Sequence, residues 1–312
     1  QCAQGVLALS DPFALESGDA LHDAGLAWQC VGPDAAPLVV VLGGISAHRR
    51  CSGFAGAGWW EAQCGEGLAL DVERFRLLSV DWLGGCDDST GPESGCDFPA
   101  ITTTDQARAI LLLLNRLGVR HVHAIVGASY GGAVGQLLAA LLGRRLGRLV
   151  LLSAGHRPSQ FALALRDVQR SILDLGENSA ASLALVRALA IIGYRTPQGF
   201  EERFATSNDG AIEWLAQHGK RFAQRFNASA YRCLSTSLDA HRIDPAAITV
   251  PTTVFTVVED LLVPPSLSRE FAATCTGPCD LVEISSIYGH DAFLKEKTIV
   301  ADVLRRSLEP VR

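Results

Sequence analysis

Short apolar runs alternate along this chain with longer stretches whose apolar positions recur at helical spacing. Residues 38–42 read Leu-Val-Val-Val-Leu and end at Gly43-Gly44, the pattern of a strand buried on both faces. Residues 75–81 predict a second strand, followed by a loop over 84–99 rich in Gly, Asp and Ser. A helix is predicted from about Thr104 to Leu117, with a threonine hydroxyl to cap its start and Gly118 to stop it. Residues 121–126 predict the next strand. A tight turn through Ser129, a helix from about Gly132 to Leu142 and a strand over 148–154 follow.

The pattern then changes. Residues 158–241 contain no convincing strand, only amphipathic helical segments, clearest over 161–175, 182–192 and 211–226. Alternation resumes with a strand over 252–258, a helix near Pro264, a strand over 281–285 and a final helix from Ala292. Strands alternating with helices predict an α/β fold with a mostly parallel central sheet. The helical block reads as a lid inserted between two strands, so residues 1–157 and 242–312 form the expected core domain and 158–241 the lid.

Composition supports one large folded unit: 312 residues, 48% hydrophobic and 19% charged. The formal net charge is −6, and no basic tract is interleaved with aromatics, so nucleic acid is not an expected partner. The longest apolar stretches, such as 110–114 and 137–142, are too short to span a bilayer, and residues 1–10 lack a basic start followed by an apolar run. Nine cysteines are scattered without Cys-x-x-Cys pairs, which predicts reduced thiols, no metal site and a cytoplasmic setting. The chain holds no methionine, and nothing in the pattern accounts for that.

The chemistry centres on Gly127-Ala128-Ser129-Tyr130-Gly131. A serine hydroxyl is a poor nucleophile until a base removes its proton and donors stabilise the oxyanion that forms. A Gly-x-Ser-x-Gly turn between an apolar strand and a helix holds the serine on a sharp elbow, as in α/β-hydrolase folds. That arrangement predicts an acid and then a histidine further along the chain, each just past a strand. Asp260 and His290 occupy those places, with Glu259 a competitor for the acid. The expected oxyanion donors are the amides of Tyr130 and of Ile45 in the turn after residues 38–42, with Gly44 as the alternative.

The surrounding motifs resemble the homoserine O-acyltransferases of the α/β-hydrolase superfamily. These are Gly58-Trp59-Trp60-Glu61, Asp88-Ser89-Thr90-Gly91-Pro92, Thr102-Thr103-Thr104-Asp105-Gln106-Ala107, Gln169-Arg170, Tyr194-Arg195-Thr196, Arg203-Phe204 and Tyr288-Gly289-His290-Asp291-Ala292-Phe293-Leu294. They fall in family order from about Gly43 to Glu296. The resemblance implies that the serine takes the acyl group of an acyl-coenzyme A and passes it to the hydroxyl of L-homoserine by ping-pong kinetics, in methionine biosynthesis. It implies no resident cofactor, and a homodimer built on the lid helices. It also implies that Arg187, in Leu185-Val186-Arg187, holds the amino-acid carboxylate and that Asp291 holds the ammonium. A guanidinium and a carboxylate suit those partners.

Departures from the family pattern include a compact stretch between Arg203 and Ala211, Ala133 after the elbow, and Tyr130 where many members carry methionine. Tyr130 is expected to alter the pocket wall while keeping its amide in place. Leu261 and Leu262, after Asp260, put no charge there and favour an acetyl donor; a succinyl donor needs a basic partner such as Arg49, Arg50 or a lid arginine. Serine and homoserine as acceptors differ by one methylene and are not separated by residue type. A carboxylester hydrolase on the same fold is the competing activity.

Overall fold

The computed structural model describes residues 1–93 and 98–309. Its strands are β1 (Cys2–Ala8), β2 (Phe13–Ala14), β3 (Ala20–Leu21), β4 (Gly25–Val31), β5 (Leu38–Leu42), β6 (Arg76–Val80), β7 (Val122–Ala128), β8 (Leu146–Leu152), β9 (Thr252–Val257) and β10 (Cys279–Ile284). Its helices are α1 (Thr103–Arg116), α2 (Tyr130–Leu142), α3 (Gln160–Leu175), α4 (Ala180–Tyr194), α5 (Pro197–Phe204), α6 (Gly210–Ala223), α7 (Ala228–Ala240), α8 (Pro265–Thr274), α9 (Ala292–Lys295) and α10 (Lys297–Leu308). Part of the predicted 84–99 loop, residues 94–97, lies outside the described residues.

Eight strands form one sheet in the order β1-β4-β6-β5-β7-β8-β9-β10. From β6 to β10 every pairing is parallel, whereas β1 and β4 join antiparallel at one edge. Successive strand side chains point to opposite faces, so a strand covered on both sides must be apolar throughout. β5 shows this: Val40 and Leu42 enter one hydrophobic cluster and Val39 and Val41 the other. Helices α1 and α2 cover the first face through Ile110, Leu113, Val134 and Leu138. Helix α10 covers the second through Val300, Val303 and Leu304.

The predicted strands over 38–42, 75–81, 121–126, 148–154, 252–258 and 281–285 all appear, with ends shifted by a residue or two. The predicted helix at Thr104 begins one residue earlier, because Thr102 and Asp105 form a reciprocal cap. The Asp105 amide donates to Thr102 Oγ1 at 3.2 Å, and the Thr102 amide donates to Asp105 Oδ2 at 2.9 Å. Between β8 and β9 the chain makes five consecutive helices, α3 to α7. Among the described residues, no helix is long and apolar enough to cross a membrane.

Candidate active site

Ser129 sits between β7 and α2 with φ 51° and ψ −117°, a conformation that costs a non-glycine residue on the order of 1–3 kcal/mol. The flanking glycines permit the turn by close approach. A Cβ on Gly127 would lie 2.5 Å from the Gly131 carbonyl oxygen, and one on Gly131 would lie 2.3 Å from the Leu42 oxygen. The Gly131 amide donates to the Gly43 oxygen at 2.8 Å and so ties the elbow to the turn after β5. This brings Ile45 to the wall of the cavity in which Ser129 lies. Tyr130 is the first residue of α2, so its amide has no acceptor within the helix and is free to serve an anion.

His290 follows β10 in a loop clamped from several sides. Thr196 Oγ1 donates to the Ile287 oxygen at 2.6 Å, and Trp60 Nε1 donates to the Phe293 oxygen at 3.2 Å. Gly289 turns the chain at φ 52°. His290 Nε2 is then 2.9 Å from Ser129 Oγ, and its Nδ1 is 2.7 Å from Asp260 Oδ2. Asp260 is buried, and its other oxygen accepts from the Leu262 and Val263 amides, both at 2.9 Å. Glu259 is engaged elsewhere: it accepts from the Ser285 hydroxyl and, at 2.8 Å, from the Ser286 amide. The geometry therefore places Asp260, not Glu259, on the imidazole.

Burial opposes charge on His290, but the charge and hydrogen bond of Asp260 outweigh it and raise the imidazole above its ordinary value of 6.5. With Nδ1–H donating to Asp260, Nε2 is left to accept the serine proton.

A cavity of about 430 Å³ opens over this hydrogen-bonded chain. Its wall includes Ser129, His290, Ala133, Arg187 and Asp291. Tyr194 lies between the last two, with the Arg187 guanidinium carbon 5.7 Å from its ring centroid and the charge of Asp291 acting on its hydroxyl. Arg187 also lies 5.0 Å from the centre of the Phe222 ring and has no carboxylate partner among the described residues.

Asp291 does have a partner. Arg195 Nε donates to its Oδ2 at 2.7 Å, with both side chains mostly buried, and this fixes the carboxylate beside His290. In the sequence Arg195 stands out only as part of the Tyr194-Arg195-Thr196 motif. Its position at the C-terminal cap of α4 was the available signal.

Tyr130 departs from expectation. Its side chain does not enter the cavity but lies wholly buried in the core, edge-on to Trp82 with ring centres 4.9 Å apart. Its hydroxyl is 2.8 Å from Ser237 Oγ on α7 and accepts from Gln106 Nε2 at 3.2 Å. The residue after the nucleophile thus links the elbow to α1 and α7, which is why its aromatic ring leaves the pocket wall unchanged.

Residues 37–297 match the family described as the alpha/beta hydrolase fold. The chain is 39% identical over 297 residues to a homoserine O-succinyltransferase of Xanthomonas campestris, covering 91% of this chain and 78% of that protein. It is 31% identical over 348 residues to a homoserine O-acetyltransferase of a Mycobacterium species, covering 96% and 93%. The solved structure of a homoserine O-acetyltransferase from Staphylococcus aureus shares the fold, with TM-score 0.87 at 24% identity over 100% of this chain and 97% of that one. Elbow, sheet order and these relatives together place the chain in the alpha/beta hydrolase fold family and, within it, in the homoserine O-acyltransferase family of acyltransferases.

Proposed function

We propose that this enzyme transfers the acyl group of an acyl-coenzyme A to the side-chain hydroxyl of L-homoserine through an acyl-Ser129 intermediate. The observation that carries the reading is the shared cavity. The Asp260–His290–Ser129 hydrogen-bonded chain and the Arg187/Asp291 pair face the same cavity. A guanidinium and a carboxylate on one wall complement the carboxylate and ammonium of an amino acid. An esterase for neutral esters has no use for that pair.

In the first half-reaction Ser129 Oγ attacks the thioester carbonyl carbon as its proton passes to His290 Nε2. The C–S bond then breaks and the sulfur leaves with that proton. In the second, homoserine gives its hydroxyl proton to the same nitrogen and attacks the acyl-serine. The C–Oγ bond breaks and Ser129 recovers the proton. In both, the Tyr130 and Ile45 amides stabilise the oxyanion. Asp291, held by Arg195, anchors the ammonium beside the base, and Arg187 anchors the carboxylate.

The two relatives divide between succinyl and acetyl transfer, and the donor class common to both is an acyl thioester. The product would be an O-acyl-homoserine, the activated form used in methionine biosynthesis. The helices of residues 158–241 act as the lid that excludes water from the acyl-enzyme. Leu175, Leu185 and Ile212 on those helices are exposed, which supports a second copy of the chain as the partner that covers them.

Thiol release with and without homoserine tests the reading. Acceptor-dependent turnover with stoichiometric O-acyl-homoserine is the expected result. Equal release rates in both conditions would leave a hydrolase.

A further inference from the structure

Four arginines line the cavity, and their surroundings differ. Arg157 and Arg225 are exposed, and Arg157 is paired with Glu270 at 2.7 Å. Arg187 is the amino-acid anchor proposed above. Arg166, on α3, is the buried one, at 8% exposure. Its Nε donates to Asp239 Oδ1 at 2.5 Å, and its Nη2 is buried with no hydrogen-bond partner among the described residues.

Asp239 cannot balance this group alone, because Arg170 also pairs with it at 2.7 Å. Two guanidiniums share this carboxylate, and the other one within reach of Arg170, the exposed Asp167, is 3.9 Å away, so the positive charge in the wall is only partly compensated. A buried, unsatisfied cationic donor is costly unless something fills it. Arg166 is also close enough to His290 for its charge to act on the imidazole.

A second poorly satisfied donor lies in the same cavity wall. His241, at the end of α7, is 2% exposed, and its Nδ1 is 3.0 Å from Thr103 Oγ1. With the threonine hydroxyl donating to Nδ1, the neutral ring carries its proton on Nε2. That nitrogen is buried and makes no well-formed hydrogen bond among the described residues, although the Gly155 carbonyl lies near enough to act on the ring. Burial keeps the ring neutral, holding its pKa near 3.

An amino-acid acceptor brings one carboxylate, which Arg187 takes. The unsatisfied Nη2 of Arg166, with the poorly satisfied His241 ring beside the same cavity, calls for a second anion there. We infer that Arg166, assisted by His241 Nε2, binds a carboxylate at the far end of the acyl chain, so that the preferred donor is the thioester of a short dicarboxylic acid of the succinyl type. The inference rests on the acyl-transfer reading and specifies its donor. It also selects among the basic residues open from sequence. Arg49 is committed to Asp81 and Asp88, and neither it nor Arg50 is in the cavity wall, whereas a lid arginine is. Leu262 lines the cavity and gives the acyl methylenes an apolar wall, so the leucines that favoured acetyl also suit a longer chain.

The test compares succinyl- and acetyl-coenzyme A, each with saturating homoserine, in the wild type, Arg166→Gln and Arg166→Lys. The reading is the ratio of the two kcat/KM values within each preparation, which is independent of how much protein is folded. The wild type should favour the succinyl thioester. Arg166→Gln should lower the succinyl-to-acetyl ratio roughly 10- to 100-fold, the loss of a charge-assisted hydrogen bond, and Arg166→Lys should fall between. The KM for homoserine should stay within about twofold of wild type. A wild-type preference for acetyl-coenzyme A, or an unchanged ratio in Arg166→Gln, would overturn the inference. So would an equal rise in the homoserine KM with both donors, because Arg166 would then belong to the acceptor. If neither thioester gave homoserine-dependent release, the acyl-transfer reading itself would fail, a result distinct from all of these.

Discussion

The sheet end and the helical cover face each other across one cavity, and they handle charge in opposite ways. At the sheet end the reacting groups are committed. Asp260 is satisfied by His290 and two amides, and His290 bridges to Ser129. On the helical side, Arg187 has no carboxylate among the described residues, and Arg166 and Arg170 divide Asp239 between them. A closed network suits a nucleophile that must act on many acyl groups in one geometry. Guanidiniums short of anions suit a surface completed by its substrates. The comparison separates what makes this site reactive from what makes it selective.

The largest effects should come from the sheet end. Ser129→Ala should lower thiol release roughly 10⁶-fold in a stopped-flow assay, since the acyl-enzyme can no longer form. Asp260→Asn should cost roughly 10⁴-fold by disturbing the imidazole tautomer, whereas Glu259→Gln should change the rate less than about threefold. Comparable losses in both variants would break the assignment of the acid.

The helical side should respond differently. Arg187→Ala should raise the homoserine KM roughly 10- to 100-fold while leaving the first burst of thiol intact, which rapid-quench kinetics resolve. A lost burst would place Arg187 with the donor instead.

The pH profile sharpens the sheet end. His290 must be neutral to accept the serine proton, and its pKa is raised above 6.5. The acid limb of kcat/KM should therefore fall as pH drops through a value above 6.5, and the limb of Asp260→Asn should move to lower pH. The smallest effect should come from Tyr130→Phe. Losing the hydroxyl contacts to Ser237 and Gln106 should cost about 1–2 kcal/mol in denaturant unfolding, with little change in kcat.

The legible parts of the sequence were those set by local pattern. β5 and β7 announced themselves because strands buried on both faces must be continuously apolar. Ser129 was legible because only a glycine-flanked turn tolerates its backbone. The antiparallel edge was not read: β1 is mostly exposed and carries Gly5, while β4 is buried at most positions without alternation. α7 was also unread, since Ala-Ser-Ala-Tyr-Arg-Cys-Leu-Ser-Thr-Ser-Leu-Asp-Ala has little helical signature beyond Asn227 as its cap. Asp260 and Glu259 are adjacent carboxylates, and only the turn after β9 decides which one meets His290. The pairings of Arg195 with Asp291 and of Arg166 with Asp239 are tertiary facts, between residues 96 and 73 positions apart in sequence.

The central claim is that the acyl group on Ser129 is destined for an amino-acid hydroxyl. Its most direct test is intact-protein mass measurement after loading with acyl-coenzyme A, followed by timed addition of homoserine. The account predicts an acyl adduct on Ser129 that persists in buffer and discharges at the turnover rate when homoserine is added, giving O-acyl-homoserine. An adduct that discharges to water equally fast with and without homoserine would contradict it.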